Sequence, residues 1–364
     1  MMPLDVPVAP IDPHAAAQDV LACCARLGFA LSGVAPAEPI EHSRELVDWL
    51  AAGRHGEMAW LAQHLEQRLD PRRTLPGARS IICVADRYAR ADDEVQSLPA
   101  RHGRIARYAR GDDYHRLMKN RLHHLSDGLA AHFPQHRFLA CVDTAPVAER
   151  EHALRAGLGY VGKNTMLIEP GVGSYLLLGE VITTLPLEAN EQRLEDHCGA
   201  CTRCLEACPT GALTPWSLDS NRCISYHTIE LRRGIPPQYH EAIGDWIFGC
   251  DICQEVCPHN GPTPRTQGAP VHPAYEPRRV SLDLLEVLNW SEEDRRSAFT
   301  RSAMKRAKLW MMKRNAVIAA GNYLRGHDDP ALLARLAEIA VDNREHEVVR
   351  LTTEQVLARS ASRR

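Results

Sequence analysis

Three features are missing from this 364-residue chain, and each closes off a class of protein. No run of about 18 apolar residues occurs, so no membrane-spanning helix and no membrane partner are expected. The segment from Met1 to Pro13 has no Lys or Arg and lacks the basic and long apolar regions of a signal peptide, so no export signal is expected and a cytoplasmic location is. Charge of one sign is lacking too. The 43 Lys and Arg stand against 46 Asp and Glu, a formal net charge of −3, so no global basic field points to nucleic acid and charge must be read locally. What is present is an ordinary share of apolar residues, 45%, on a chain long enough for two or three domains.

Twelve cysteines are present, and eight of them fall between Cys198 and Cys257. Without an export signal, such clustering reads as metal ligation rather than disulfides. The other four, Cys23, Cys24, Cys83 and Cys141, lie in apolar segments and read as buried thiols. The run Cys198-x2-Cys201-x2-Cys204-x3-Cys208-Pro209 has bacterial ferredoxin spacing. Two-residue gaps let three sulfurs of one tight loop reach three irons of a [4Fe–4S] cube, and the cysteine before proline ligates the other cluster. The second half, Cys250-x2-Cys253-x3-Cys257-Pro258, lacks its first cysteine, and Cys223 is the nearby candidate, split from the motif by 26 residues. Crossed ligation assigns Cys198, Cys201, Cys204 and Cys257 to one cluster and Cys208, Cys223, Cys250 and Cys253 to the other. Zinc would favour two CxxC knuckles separated by a loop, often with His. Two neighbouring clusters make a wire for single electrons without saying where the electrons go.

Residues 14–190 alternate helical and strand-like patterns. Ala15 to Leu27 reads as a helix ending at Gly28, while Ser80 to Ala85, Phe138 to Val142 and Tyr175 to Thr183 are apolar runs of strand length. Residues 191–265 hold the cysteines and little regular pattern. Gly261 to Pro277 is rich in proline and reads as a linker. Residues 278–364 are helical: Leu309 to Leu324, Pro330 to Val341 and Glu345 to Ser360 are broken by Gly326 and Asp342-Asn343. Paired short helices suggest a helical-repeat unit, with a plain bundle as the alternative. The expected class is therefore α+β and multidomain.

Two local motifs need weighing. Gly157-x-Gly159-x-x-Gly162, followed by Lys163-Asn164, resembles a nucleotide-binding loop, but such loops need a strand before and a helix after. Here the helix-like segment Ala148 to Ala156 comes first and the strand-like Thr165 to Ile168 follows. A glycine-ended helix is the plain reading, and close approach of a bulky cofactor is the functional one. Asp143, at the end of an apolar strand and before Thr144-Ala145-Pro146, is either a turn cap or a desolvated proton donor.

Taken together, several segments resemble one family, the epoxyqueuosine reductases. They are Gly56-Glu57-Met58, Asp70-Pro71-Arg72, the stretch Tyr108 to His115, Asp143 to Arg150, Gly157 to Ile168, Cys223 to Glu230 and Gly249 to Gln254. The resemblance implies an α/β cobalamin-binding domain at 14–190, a two-cluster [4Fe–4S] ferredoxin-like domain at 191–265 and a C-terminal HEAT-like helical repeat domain at 278–364. It implies reduction of epoxyqueuosine to queuosine at the tRNA wobble position, the last step of queuosine biosynthesis, with electrons passing through two clusters to cobalamin. Asp143 falls on the family's proton donor. Cys250, Asp251, Ile252 and Cys253, with Ser225 and Tyr226, fall near the cobalamin, and Tyr108 and Lys163 are further neighbours. His227 stands where Leu is more usual, which would make the pocket wall more polar. The corrinoid motif Asp-x-His-x-x-Gly begins at Asp113 but fails at Met118, so base-off cobalamin without a protein imidazole is expected.

An external one-electron donor, such as a flavodoxin or ferredoxin, and a monomeric enzyme complete the expectation. From Arg295 to Gly326 nine Lys or Arg residues occur without an acid. Lys305, Arg306, Lys308, Lys313 and Arg314 are expected to hold phosphates of the tRNA anticodon stem-loop, a solvated face being the alternative. Should they not, the basic segment Arg101 to Arg121 is the next choice. The rival functions are a corrinoid reductive dehalogenase-like enzyme and a non-enzymatic Fe–S electron-transfer subunit.

Overall fold

The computed structural model of the chain describes residues 11–90, 98–190 and 193–361. Of the N-terminal stretch read above for an export signal, residues 1–10 lie outside the described residues. The first helix, Pro13–Arg26, starts where Asp12 accepts a hydrogen bond from the His14 N–H at 3.0 Å and Pro13 occupies the first turn. It ends just before Gly28, whose φ of 76° only glycine adopts cheaply.

The strands are β1 (Leu31–Pro36), β2 (Ser80–Arg87), β3 (His102–Ile105), β4 (Phe138–Cys141), β5 (Tyr160–Val161), β6 (Leu167–Ile168), β7 (Leu176–Thr183), β8 (Leu213–Thr214), β9 (Ser217–Leu218), β10 (Trp246–Phe248) and β11 (Ser281–Asp283). The largest sheet has the order β1-β2-β7-β4, and every pairing in it is antiparallel. Helices Pro13–Arg26 and Tyr114–His132 cover one face, through Val20, Met118 and Leu122 against Val34, Ile82 and Val181. Helix Glu149–Arg155 covers the other, through Ala153 against Ala35, Ile81 and Ile182. All eight residues of β2 are buried, which explains the continuous apolar run Ile81 to Ala85, and the charged pair that follows it is matched, Asp86 by Arg121 and Arg87 by Glu169.

A second sheet, β10-β3-β11, draws one strand from each of the three stretches into which the sequence divides. Around it lies a core of Ile105, Ile247, Phe248, Leu282, Met312, Ala316 and Leu336. The proline-rich segment is not a free linker. Thr263 caps the short helix Pro264–Gly268, and Tyr275, 3% exposed, donates its hydroxyl proton to Asp86 Oδ2 at 2.9 Å.

Helix Leu309–Tyr323 is buried on every side from Met311 to Gly321, as expected of a helix at the centre of a packed unit rather than on its surface. Glu347–Ala361 packs against it, and Pro330–Val341 packs against Glu347–Ala361. A Cβ at Gly321 would lie 2.3 Å from Val356, so glycine permits the close crossing with the last helix. Among the described residues no helix is long and apolar enough to cross a membrane.

Candidate active site and cluster cavities

Asp143 follows β4 with a φ of 44°, an uncommon conformation for a residue with a Cβ. Two partners hold it there. Its N–H donates to Glu149 Oε1 at 2.7 Å, from the first turn of helix Glu149–Arg155. Its carboxylate Oδ2 lies 2.8 Å from His115 Nε2, while His115 Nδ1 lies 2.8 Å from Asp113 Oδ1. Asp113 caps helix Tyr114–His132 and pairs with Lys305 through its other oxygen. The Tyr114 ring stacks on the imidazole, with 4.0 Å between centroids.

Burial alone would lower the His115 pKa, but hydrogen bonds to Asp113 and Asp143 and their charges push it up to about 9. Burial alone would raise Asp143, but His115, Arg306 and Tyr114 outweigh it and hold the carboxyl below its ordinary range. The proton expected on Asp143 therefore sits on His115, which corrects the reading of Asp143 as an acid neutralised by desolvation. Deeper in, burial and the charge of Glu180 push Glu149 up to about 8. Glu180 itself is 2.9 Å from His152 Nδ1, with both side chains 1% exposed.

Tyr108 bridges Tyr114, beside His115, to the cysteine turn. Its ring meets Tyr114 edge-on at 6.1 Å and Phe248 at 6.3 Å, and Gly249, with φ of 69°, lies against Ala106 and Tyr108. Asp251 accepts a hydrogen bond from the Arg107 N–H at 2.6 Å, and burial raises it to about 6.

The eight motif cysteines lie near one another around the Cys198 and Cys250 turns. Cys198, Cys201, Cys204 and Cys257 line one cavity. Cys223, Cys250 and Cys253 lie together with Cys208 close enough for their charges to interact. Backbone N–H groups point at several of the sulfurs: Lys163 N at 3.4 Å from Cys198 Sγ, Ala212 N at 3.4 Å from Cys208 Sγ, Ser225 and Tyr226 toward Cys223, and Ile252 toward Cys250. Such donors stabilise thiolate, the form that ligates iron, so this set of residues fits Fe–S clusters.

Several site expectations need correction. Lys163 lines the first cluster cavity, its ammonium donating to the carbonyls of Gly199 at 2.6 Å and Cys201 at 3.0 Å. Its neighbouring glycines approach protein, not cofactor: a Cβ at Gly159 or Gly162 would strike Ile168. The loop itself runs from helix to strand, as its flanks implied. His227 is 1% exposed: its Nε2 donates to the Asn221 carbonyl at 2.9 Å and its ring packs against Tyr239. Burial lowers its pKa to about 4.

Two of the five cations expected to meet RNA are internal. Lys313, 7% exposed, pairs with Glu345 at 2.8 Å. Arg314, 0% exposed, donates to the carbonyls of His227, Leu231 and Arg233. Lys305 and Arg306 are exposed but paired with Asp113 and Glu230, leaving Lys308 without an acidic partner among the described residues. The fallback segment is committed in part, Arg101 to Asp283 and Asp329, Arg104 to Asp245 and Glu255, and Arg121 to Asp86, while Arg116 and Lys119 stay exposed without an acidic partner among the described residues. His115 and Glu149 are the site residues that the sequence reading quoted without giving a role. A histidine two residues after a helix-capping aspartate was the available signal.

Two family models match the chain. One, described as 4Fe-4S double cluster binding domain, covers residues 197–260, and one described as Epoxyqueuosine reductase QueG, DUF1730 covers residues 68–144. An epoxyqueuosine reductase of Pseudomonas aeruginosa is 38% identical over 327 residues, spanning 88% of this chain and 89% of that protein. One from Gloeobacter violaceus is 43% identical over 306 residues, spanning 81% and 92%. A crystal structure of epoxyqueuosine reductase with an epoxyqueuosine-modified tRNA-Tyr stem loop superposes with a TM-score of 0.83 at 29% identity, covering 94% of this chain and 89% of that one.

Proposed function

Because this chain belongs to the epoxyqueuosine reductase family, we propose that it reduces the epoxide of epoxyqueuosine at the wobble position of tRNA to the alkene of queuosine. The overall change takes two electrons and two protons and releases one water. The observation that carries this reading is the His115–Asp143 pair, a held proton at the end of β4, in the same chain as two groups of four cysteines.

In this reading each four-cysteine group holds one [4Fe–4S] cluster, and an external one-electron donor such as a flavodoxin or ferredoxin reduces them. Cobalamin would lie between Asp143 and the Cys250 turn, against Tyr108, Ser225, Tyr226 and the segment Cys250 to Cys253. When bound it supplies the low-potential chemistry that opens a carbon–oxygen bond. Both ring nitrogens of His115 are engaged by carboxylates, which fits a cobalt without a protein imidazole.

The chain's own contribution is the proton. In the open cleft His115 carries it and Asp143 is ionised. Enclosure of the cleft by substrate and cofactor removes water and penalises the separated charges, so the proton passes to Asp143 Oδ2. Asp143 then donates it to the epoxide oxygen as the first carbon–oxygen bond breaks and, once reprotonated from solvent, donates a second proton as the oxygen leaves as water. Glu149 holds the Asp143 loop through its backbone N–H, so the donor keeps its place while it changes charge.

The C-terminal helices, paired as Pro330–Val341 and Glu347–Ala361 on Leu309–Tyr323, read as a HEAT-like unit that carries part of the RNA surface, and the enzyme acts as a cytoplasmic monomer. The test is turnover of an epoxyqueuosine-containing stem-loop by anaerobically reconstituted protein with cobalamin and a chemical reductant. Queuosine forming only when both cofactors are present supports the reading. Full cofactor loading without turnover overturns it.

A further inference from the structure

Trp60 stands on a single turn, Ala59–Leu61, with 42% of its surface exposed. Two guanidinium groups lie against its ring, Arg68 at 5.6 Å and Arg306 at 6.0 Å from the centroid. They come from distant parts of the chain, helix Leu65–Leu69 and the turn Ala303–Arg306. Both are close enough to Asp143 for its charge to act on them. Arg68 Nη1 donates to the Val147 carbonyl at 3.3 Å, but its Nε is buried and has no hydrogen-bond partner. Arg306 is anchored by Glu230 at 2.7 Å.

An indole face left in solvent is costly unless something covers it, and two guanidinium groups beside it offer N–H donors to an anion. One ligand chemistry answers both. An aromatic base stacks on the indole, and the phosphodiester beside it accepts from the guanidinium groups. The position favours RNA as the source, since single-stranded loops are recognised by splaying bases onto aromatic side chains. We propose that Trp60, with Arg68 and Arg306, forms a nucleotide subsite that takes an unpaired anticodon-loop nucleotide adjacent to the one being reduced.

This inference rests on the tRNA reading above. The same base-plus-phosphodiester chemistry occurs in the nucleotide tail of cobalamin, so the test includes both sources. Full-length protein reconstituted with clusters is titrated with an anticodon stem-loop RNA, with cobalamin and with cobinamide, which lacks the tail. Trp60→Ala should weaken stem-loop binding by about 5- to 100-fold, the range expected for one stacked base. Trp60→Phe should recover most of the loss. A stem-loop made abasic at one loop position beside the wobble nucleotide should lose the same factor with wild type and nothing further with Trp60→Ala. Cobalamin and cobinamide should bind both proteins alike.

Equal stem-loop affinity for wild type and Trp60→Ala overturns the subsite. A loss seen for cobalamin alone, with cobinamide and RNA unchanged, overturns the RNA assignment in favour of the cofactor tail. Wild type that binds no stem-loop overturns the tRNA reading, and the subsite with it.

Discussion

His115 Nε2 lies 2.8 Å from Asp143 Oδ2, and the same ring places Nδ1 2.8 Å from Asp113 Oδ1. An imidazole with a carboxylate on each nitrogen can donate to both only when it is cationic. One side chain thus fixes the charge state of two acids 30 residues apart in sequence, and it stores a proton at the mouth of the proposed reaction site.

The first prediction separates the proton store from the donor. Asp143→Asn removes a carboxylate partner, so the His115 pKa should fall from about 9 toward its ordinary value of 6.5, read by NMR titration of the ring. The same variant should lose about 10²- to 10⁴-fold in turnover with clusters retained. A ring still titrating near 9 would show that Asp113 alone holds the charge.

The pH dependence follows with its sign. His115 has a raised pKa in the folded protein, so what its pairing contributes is complete below 6.5 and is lost as pH rises through about 9. Wild-type turnover should decline on the alkaline side around that value. His115→Gln should abolish this alkaline limb while lowering the plateau. An unchanged limb in the variant would assign it to another group.

How far these relationships were legible depended on sequence distance. The cysteine motif rests on gaps of two and three residues, and Cys198, Cys201, Cys204 and Cys257 do line one cavity although Cys257 lies 49 residues after Cys208. Strand β2 was legible because burial on both faces left Ile81 to Ala85 a continuous apolar run. The basic stretch misled for the opposite reason. It contains no acid, yet Arg301 pairs with Asp112, Lys305 with Asp113, Arg306 with Glu230, Lys313 with Glu345 and Arg325 with Glu241. Every one of those acids lies outside the stretch, and a local charge count cannot see a partner supplied by folding.

A third prediction concerns iron. Two clusters require about eight irons per chain. Cys223→Ala should lose the cluster shared with Cys208, Cys250 and Cys253 and keep the one in the Cys198 cavity, halving the iron and the reduced-state EPR signal. Full intensity of both signals would refute the split second motif.

Arg314 supplies a fourth. Replacing it by Met leaves the carbonyls of His227, Leu231 and Arg233 without their donor, at about 1–3 kcal/mol for each buried group left unpaired. Thermal unfolding should show a marked loss of stability. Lys308→Glu, on the exposed side, should stay within about 0.5 kcal/mol of wild type. Equal stability of the two variants would contradict the internal role of Arg314.

The fifth prediction uses the two exposed cations of the stretch Arg295 to Arg325 for which no acidic partner occurs among the described residues, Arg296 and Lys308. Changing both to Glu should flatten the log–log salt dependence of stem-loop binding by roughly 0.7 to 0.9 for each phosphate that is no longer neutralised. Superimposable salt curves would move the RNA surface to the cleft rim around Trp60.

The sheet β10-β3-β11 also sets an order of birth. Strand β3 leaves the ribosome early, but its hydrogen-bonding partners are at Trp246–Phe248 and Ser281–Asp283. At a synthesis rate of roughly 5–20 residues per second, β3 waits about ten seconds or more for its second partner to emerge. Throughout that interval the nascent chain shows an unpaired strand edge to its surroundings. A chain released before residue 283 never closes this edge, so prematurely terminated products are expected to aggregate or be degraded rather than persist as shorter working enzymes.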